Sequence, residues 1–307
     1  MMTYAPIALF TYSRPDHTRQ AVESLLRNAE SQDSDLFVFS DGPKTEAKVA
    51  GVEENRKYIR AITGFHSVTI VERETNWGLA RSLIAGISEV IGRYGRVIVV
   101  EDDLVLSPYF LKFMNEGLEK YQDDEMVAAI SAFLPAQAPV LPSTFFLRYF
   151  HCWGWATWKR GWDLLNTDSK YLLRKLRMRK KAFDVGGNAG AYGNLYCQKV
   201  GLVDSWWVLL YASFFLAGKL TLYPSESLAQ NNGMDGSGTH CVEESYKNNF
   251  LATAPVKVNN ILVEENEVAY CLFKKEFDSR ADDMPILSRL YQRIKSFIRR
   301  LLYIDCR

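Results

Sequence analysis

The stretch Arg96-Val97-Ile98-Val99-Val100-Glu101-Asp102-Asp103-Leu104 joins a run of β-branched apolar residues directly to three carboxylates. A continuous apolar run of this length predicts a strand that is buried on both faces, as in a parallel sheet. Three adjacent carboxylates at the end of such a strand repel one another and resist desolvation unless a cation compensates them. A divalent metal that also binds a phosphate-bearing substrate commonly provides this compensation. A solvated acidic turn is the simpler alternative.

Three further strands precede this stretch, and helical spacing follows each of them. The apolar runs occupy residues 5–12, 35–40 and 67–71. Strand–helix alternation of this kind predicts an α/β fold with a mostly parallel sheet flanked by helices. Arg14, Asp41 and Asn76 come shortly after the three strands. Because ligands bind at the carboxyl ends of parallel strands, these residues and the acidic triplet predict a nucleotide-type site.

Composition and charge restrict the partners of the chain. Its 307 residues are 48% hydrophobic and 24% charged, and a net charge of +1 argues against nucleic acid as the main partner. We expect a cytoplasmic protein, because there is no signal-peptide pattern at the start and no run of 18 apolar residues. The five scattered cysteines lack CxxC spacing, which favours reduced thiols over a disulfide framework or a zinc site.

The C-terminal segment is basic and amphipathic. Residues 285–307 carry six basic side chains and one Asp, and apolar residues recur at helical spacing from Ile286 to Leu302. A basic amphipathic helix predicts peripheral binding to a membrane surface, here the inner leaflet. Packing of this helix on the domain or on a second copy of the chain is the alternative. Residues 278–283 are predicted to be the linker that precedes it.

Six short motifs occur in the order that is typical of the GT-A nucleotide-sugar glycosyltransferases. They lie at residues 11–15, 40–42, 76–80, 101–104, 153–158 and 204–206. The sequence resembles this class and is similar to family two and to the inverting branch that includes the Golgi mannoside N-acetylglucosaminyltransferase. The resemblance covers roughly residues 5–240. It implies a Rossmann-like GT-A fold with a nucleotide-sugar-binding half at 1–134, a less regular acceptor and catalytic half at 135–277, and a linker and amphipathic helix at 278–307.

The resemblance implies that the acidic triplet holds the donor. Asp103 would ligate Mn²⁺ or Mg²⁺ between the two phosphates, while Glu101 and Asp102 would reach ribose or sugar hydroxyls. A Lewis acid is useful there because the departing nucleoside diphosphate develops negative charge. A metal-free enzyme, in which the carboxylates bind only hydroxyls, is the alternative.

The resemblance also implies nucleotide contacts after the first three strands. Arg14 would lie near the base and phosphates, Asp41 would accept from the uracil imide, and Asn76 would contact the nucleotide. Each has a structural alternative: a surface arginine, a cap of the turn before Gly42, and a helix N-cap.

The resemblance makes Asp204 the catalytic base. Inverting transfer needs one carboxylate to take the proton of the acceptor hydroxyl. A helix N-cap is the structural alternative, and the two roles are compatible. Val203 and Ser205 depart from the family pattern, a difference that concerns the acceptor contacts more than the base.

Two further site residues are predicted in the second half. Trp153 would stack on a sugar, because the adjacent Gly154 lets a ligand approach the backbone. The spacing of Trp155 and Trp158 instead predicts one helix face with at least one core side chain. His240, at the end of a Gly-rich loop, would contact the diphosphate; an ordinary surface loop is the alternative.

The predicted function is inverting transfer of a sugar from a nucleoside-diphosphate donor, a UDP-sugar, to a hydroxyl of a saccharide or lipid-linked saccharide in surface polysaccharide synthesis. A nucleotidyltransferase is an alternative, although residues 13–16 lack the glycine-rich loop that such enzymes carry after strand one. A catalytically inactive nucleotide-sugar-binding protein is a second alternative.

Overall fold

The computed structural model describes residues 4–135, 140–233 and 251–283. The strands are β1 (Ile7–Thr11), β2 (Asp35–Ser40), β3 (Ser67–Glu72), β4 (Arg96–Glu101), β5 (Leu104–Leu106), β6 (Val127–Ser131), β7 (Thr144–Leu147), β8 (Trp155–Trp158), β9 (Leu220–Pro224) and β10 (Ala229–Asn231). The α-helices are α1 (Pro15–Leu26), α2 (Glu46–Ile59), α3 (Leu79–Tyr94), α4 (Phe110–Lys120), α5 (Lys159–Trp162), α6 (Ser169–Leu176), α7 (Lys180–Phe183), α8 (Ala191–Lys199), α9 (Trp206–Leu216) and α10 (Glu267–Asp283).

A single eight-stranded sheet forms the centre, in the order β3-β2-β1-β4-β8-β6-β9-β7. The first four of these strands are parallel neighbours, as the alternation of strands and helices predicts. The side chains from Val97 to Val100 are buried, so the apolar run that precedes the three carboxylates lies in the core as predicted. The prediction of an α/β, mostly parallel sheet flanked by helices is confirmed.

The sheet becomes mixed beyond β4. Strand β8 lies antiparallel between β4 and β6, and β7 is antiparallel to β9. One continuous sheet therefore runs through both predicted halves of the chain. A second, two-stranded sheet pairs β10 with β5 directly after the acidic triplet.

The predicted helix face at Trp155 and Trp158 is wrong. Residues 155–158 form strand β8, and both tryptophan side chains are buried. Because strand side chains alternate, these two residues point to opposite faces of the sheet, and they belong to different core clusters. The prediction that at least one is a core residue is correct.

The structure describes the C-terminal region as far as residue 283. Residues 278–283, the predicted linker, are the last residues of helix α10. The predicted amphipathic helix beyond them lies outside the described residues, and the boundaries at 134, 277 and 278 stay predictions. Within the described residues, no helix combines the length and the apolar character that are needed to cross a bilayer.

Candidate functional site

The carboxyl ends of β1 and β4 bring Arg14 to the acidic triplet. One guanidinium nitrogen, Nη2, donates to Asp102 Oδ1 at 2.5 Å and to Asp103 Oδ2 at 3.0 Å. The backbone N–H of Tyr12 also points to Asp102 Oδ2, at 3.4 Å. The two strands are direct parallel neighbours, which explains why residues 88 positions apart in the chain can pair. The alternative that Arg14 is an ordinary surface arginine is therefore wrong.

The cation that balances the triplet in this structure is Arg14. Burial, together with the charges of Asp103 and Asp102, raises the pKa of Glu101 to about 8. Burial raises the pKa of Asp102 to about 6, although the adjacent guanidinium acts in the opposite direction. Burial therefore disfavours the charged form of both carboxyl groups, while the charge of Arg14 acts in the opposite direction on each. Arg14 therefore offsets part of the repulsion among the three carboxylates.

A short segment after β10 covers the Arg14–Asp103 ion pair. The Asn232 N–H donates to the Asp103 backbone oxygen at 2.8 Å. A Cβ atom at Gly233 would lie 2.5 Å from Asp103 Oδ2 and 2.9 Å from Arg14 Nη1, so a larger residue there would displace the ion pair. Nη1 of Arg14 is buried and has no hydrogen-bond partner among the described residues. An anion placed beside this segment would satisfy that donor.

Asp41 organises the loops that follow β2 and β3. Its Oδ1 accepts from the N–H groups of Gly42 (3.0 Å) and Trp77 (2.8 Å). Its Oδ2 accepts from Asn76 Nδ2 and from the Gly78 N–H, both at 2.9 Å. These four bonds use the four acceptor positions of the carboxylate. The predicted turn cap is observed, and Asn76 is not a helix N-cap, because Gly78 is the N-cap of α3.

The segment 151–154 forms the wall next to the triplet. The charges of Glu101 and Asp103 add to burial in raising the pKa of the Cys152 thiol, so this side chain lies close to them. Trp153 is half-buried, and its ring meets those of Phe133 (4.5 Å) and His151 (4.8 Å) edge to face. Its backbone and ring are therefore held in place beside the acidic residues.

Gly154 has a structural reason to be glycine. Its φ is +67°, and a Cβ atom would lie 2.9 Å from Phe110 Cε2 and 3.3 Å from the Cβ atoms of Ala132 and Ala229. Backbone conformation and core packing both require this glycine, and the approach of a ligand to its backbone stays a prediction.

Asp204 lies two residues before helix α9, whose first residue contacts the start of β8. Trp155, which follows the 151–154 wall, stacks on Trp206 at 5.4 Å, and Trp206 is the first residue of α9. Asp204 is exposed and precedes Ser205, which is the N-cap of α9. The N-cap alternative for Asp204 is therefore wrong, and its carboxylate is open to solvent.

The donor atoms of the triplet fit one hard divalent cation. The described residues contain no group of three or more His, Cys, Asp and Glu side chains arranged around a metal position. A Mg²⁺-type ion is commonly held by one or two carboxylates together with substrate phosphates and water, so a full protein cage is not needed. Asp103, with a side chain that is 20% exposed, is the carboxylate that can turn towards such an ion.

His240 lies outside the described residues, so its predicted contact stays a prediction. Tyr12 and Cys152, which lie next to the triplet, are not among the predicted site residues. Tyr12 could have been found from its position at the end of β1. No sequence signal shows which glycine of the 231–240 segment lies over Asp103.

Comparison with known proteins places the chain in a family. The family model described as glycosyl transferase family 2 matches residues 7–192. A search of curated proteins finds no match.

Three solved structures with low similarity were also found. S. aureus TarS is 14% identical with a TM-score of 0.31, and the match covers 46% of this chain and 24% of TarS. The Pyrobaculum calidifontis mannosyltransferase PcManGT, in complex with GDP-Man and Mn²⁺, is 14% identical with a TM-score of 0.35, and the match covers 70% of this chain and 75% of that one. A UDP-glucose pyrophosphorylase in complex with UDP-glucose is 10% identical with a TM-score of 0.30, over 52% of this chain and 78% of that one. At these scores, none of them supports an inference about donor or acceptor.

The family match includes β1 to β8, and with them Arg14, Asp41 and the acidic triplet, but it ends before Asp204. It covers more than half of the residues, and the fold has the sheet that a GT-A protein requires. The chain belongs to glycosyl transferase family 2.

Proposed function

We propose that the chain is an inverting glycosyltransferase that moves a sugar from a UDP-sugar to a hydroxyl of a saccharide or lipid-linked saccharide, in the synthesis of a surface polysaccharide. The observation that carries the proposal is the group formed by Arg14, Asp102, Asp103 and Gly233 at the carboxyl ends of β1 and β4. It combines an unsatisfied guanidinium nitrogen for an anion with carboxylates for hydroxyls and a cation.

The chemical step needs one base and one stabilised leaving group. Asp204 takes the proton from the acceptor hydroxyl while that oxygen attacks the anomeric carbon. The bond between the anomeric carbon and the phosphate oxygen breaks, and the nucleoside diphosphate leaves with the electron pair. Because the acceptor oxygen attacks the anomeric carbon on the face opposite the leaving diphosphate, the anomeric configuration is inverted. The open position of Asp204 beside α9 supports this role, because an acceptor can reach it from solvent.

Metal binding is assigned to Asp103. A divalent ion, Mn²⁺ or Mg²⁺, would supply Lewis-acid stabilisation of the charge on the leaving diphosphate. The chain's own contribution is to place Asp103 under the 232–233 segment and to keep Arg14 beside it. Glu101 and Asp102 are assigned to ribose or sugar hydroxyls.

Nucleotide recognition is assigned to the Asp41 loops. A uracil imide can donate to Asp41 only if one of the four protein hydrogen bonds is given up. Asn76 is suited to release it, because its Nδ2 also donates to the Gly42 oxygen at 2.8 Å and keeps that bond. Asn76 would then stay bonded to Gly42, with its side-chain amide beside the bound nucleotide.

Stacking on a donor or acceptor sugar is assigned to Trp153, whose half-buried ring contacts Phe133. His240 is assigned to the diphosphate, and the basic segment at 285–302 is assigned to the inner-leaflet membrane surface.

The test measures release of nucleoside diphosphate from a panel of UDP-sugars with an acceptor and Mn²⁺. Asp204→Asn is expected to lower kcat by about 10²- to 10⁴-fold with donor affinity unchanged, as is typical for loss of a general base. The matched control is Asp163→Asn, because Asp163 is an exposed aspartate at the C-cap of α5. This control is expected to keep full turnover. Full turnover by Asp204→Asn would refute the base assignment. Donor binding without any product release by the wild type would favour the inactive binding protein.

A further inference from the structure

A strongly basic surface lies on α6, α7 and the 3₁₀ turn between them, well separated in sequence from the predicted C-terminal membrane helix. Its seven cations are Lys170, Arg174, Lys175, Arg177, Arg179, Lys180 and Lys181, and all seven residues are exposed. Among the described carboxylates, none forms an ion pair with these side chains. The whole chain has a net charge of +1, so without these seven cations it carries −6. This cationic surface is thus a local feature that the composition hides.

The cationic surface is bounded by two aspartates that accept backbone hydrogen bonds, and the buried Asp184 also interacts electrostatically with Lys180. Asp168 caps the first turn of α6 and accepts from the N–H groups of Lys170 and Tyr171, both at 3.0 Å. Asp184 follows α7, is buried, and accepts from the Tyr192 N–H. The fifteen positions between these two aspartates contain no acidic residue.

An apolar side chain projects from the middle of the cationic surface. Met178 lies in the 3₁₀ turn Arg177–Arg179 and is 86% exposed, more than any other exposed large hydrophobic residue in the described parts of the chain. It has an arginine on each side. A flexible, unbranched apolar side chain that is surrounded by cations can enter the boundary between headgroups and acyl chains while the cations meet anionic headgroups.

The cationic surface is firmly attached to the catalytic half. Leu172, Leu173 and Leu176 are the buried side chains of α6. Phe183, at the end of α7, stacks on Tyr211 of α9 at 4.5 Å, and the Tyr211 hydroxyl donates to the Phe183 backbone oxygen at 2.6 Å. Helix α9 starts directly after Asp204 and Ser205. A surface that binds through α6 and α7 would therefore hold α9 in a fixed orientation.

We infer that this cationic surface docks the protein on a bilayer that contains anionic phospholipid, with Met178 inserted at the interface. A nucleic acid would use the positive charge but would have no use for a projecting methionine, so the lipid surface fits both observations. This docking does not depend on the proposed chemistry, and it is separate from the tail at 285–307.

The test is co-sedimentation of the full chain with vesicles of phosphatidylcholine, with and without phosphatidylglycerol. The triple variant Lys170→Gln, Arg177→Gln, Lys181→Gln avoids Lys175, Arg179 and Lys180, which lie over the rings of Tyr171, Phe215 and Tyr192. Its partition onto anionic vesicles is expected to fall roughly a hundredfold, at about fivefold for each cation removed. Met178→Gln is expected to weaken binding to the anionic vesicles, although it leaves the charge of the protein unchanged. Binding of the wild type is expected to weaken as salt is added.

The matched control is Lys48→Gln, Lys57→Gln, Lys120→Gln, which removes three exposed lysines from α2 and α4 and is expected to bind like the wild type. A second comparison is Arg293→Gln, Arg299→Gln, Arg300→Gln in the tail. The inference is overturned if the cationic-surface triple variant, folded as judged by thermal unfolding, binds anionic vesicles as tightly as the wild type. It is also overturned if only the tail variant loses binding, or if the wild type prefers a polyuridine RNA to the vesicles at equal salt.

Discussion

Replacement of Arg14 by methionine tests how the acidic triplet is held in the absence of ligand. The substitution keeps much of the apolar stem and removes the only described side-chain cation that contacts Asp102 and Asp103. Two carboxylates then lose their charge-assisted bonds, and Asp102 stays buried without a charged partner. We expect the variant to be less stable than the wild type when a chelator is present.

The magnitude follows from the two contacts. A hydrogen bond to a charged group contributes about 1.5–3 kcal/mol, and breaking a buried ion pair costs about 3–5 kcal/mol. The Arg14 and Asp103 side chains are each 20% exposed, so water recovers part of that loss. We therefore expect a decrease in the free energy of unfolding of about 3 kcal/mol near neutral pH. Mn²⁺ should restore more stability to the variant than it adds to the wild type, because it replaces the missing cation.

The measurement is urea unfolding with chelator and with Mn²⁺. Arg60→Met is the matched control: Arg60 pairs with Glu72 through two bonds of 2.8 and 2.6 Å, but at the surface, where such pairs contribute about 0–1 kcal/mol. If Arg14→Met were as stable as Arg60→Met, or if Mn²⁺ stabilised it no more than the wild type, the electrostatic account of the triplet would be wrong.

Three further variants test other parts of the account. Gly154→Ala should lower the free energy of unfolding by about 3 kcal/mol in urea titrations, and Gly201→Ala, with a similar φ but open space, by only about 1 kcal/mol. His151→Gln should remove the part of the pH dependence of stability that comes from the buried imidazole. Burial and the charge of Arg280 lower the pKa of this imidazole to about 3. In the unfolded chain this imidazole binds a proton below about pH 6.5. The wild type's free energy of unfolding, relative to that of the variant, should therefore fall by about 1.4 kcal/mol per pH unit below that value. A difference that does not change with pH would contradict this. Gly233→Ala should weaken donor binding by about tenfold or more in calorimetry, since its Cβ displaces Asp103, and unchanged affinity would contradict the covering role.

The parallel half of the fold could be predicted because its signals are local. The apolar run at 96–100, the strand–helix alternation and the polar residues after each strand all follow from side-chain periodicity. Residues 35–40 and 67–72 form the expected strands β2 and β3. The pairing of Arg14 with the triplet follows from the same logic, because adjacent parallel strands end at one edge.

The antiparallel half could not be predicted in the same way. Residues 155–158 contain two tryptophans three positions apart, a spacing that fits a helix, yet β8 is buried on both faces between β4 and β6 and has no period to detect. The reason for Gly154 also depends on long-range contacts with Phe110 and Ala229, which no local pattern contains. The same holds for Gly233, whose partner Asp103 is 130 positions earlier in the chain.

The central claim is that the edge of the sheet at Glu101-Asp102-Asp103 binds a nucleoside-diphosphate sugar together with a divalent cation. The most direct measurement is calorimetric binding of a UDP-sugar panel to the wild type and to Asp103→Asn, with Mn²⁺ and with chelator. We predict that at least one donor binds the wild type only when Mn²⁺ is present, and that Asp103→Asn loses this metal-dependent binding while it stays folded. Metal-dependent binding of equal strength by Asp103→Asn, or no binding of any UDP-sugar by the wild type, would contradict the claim.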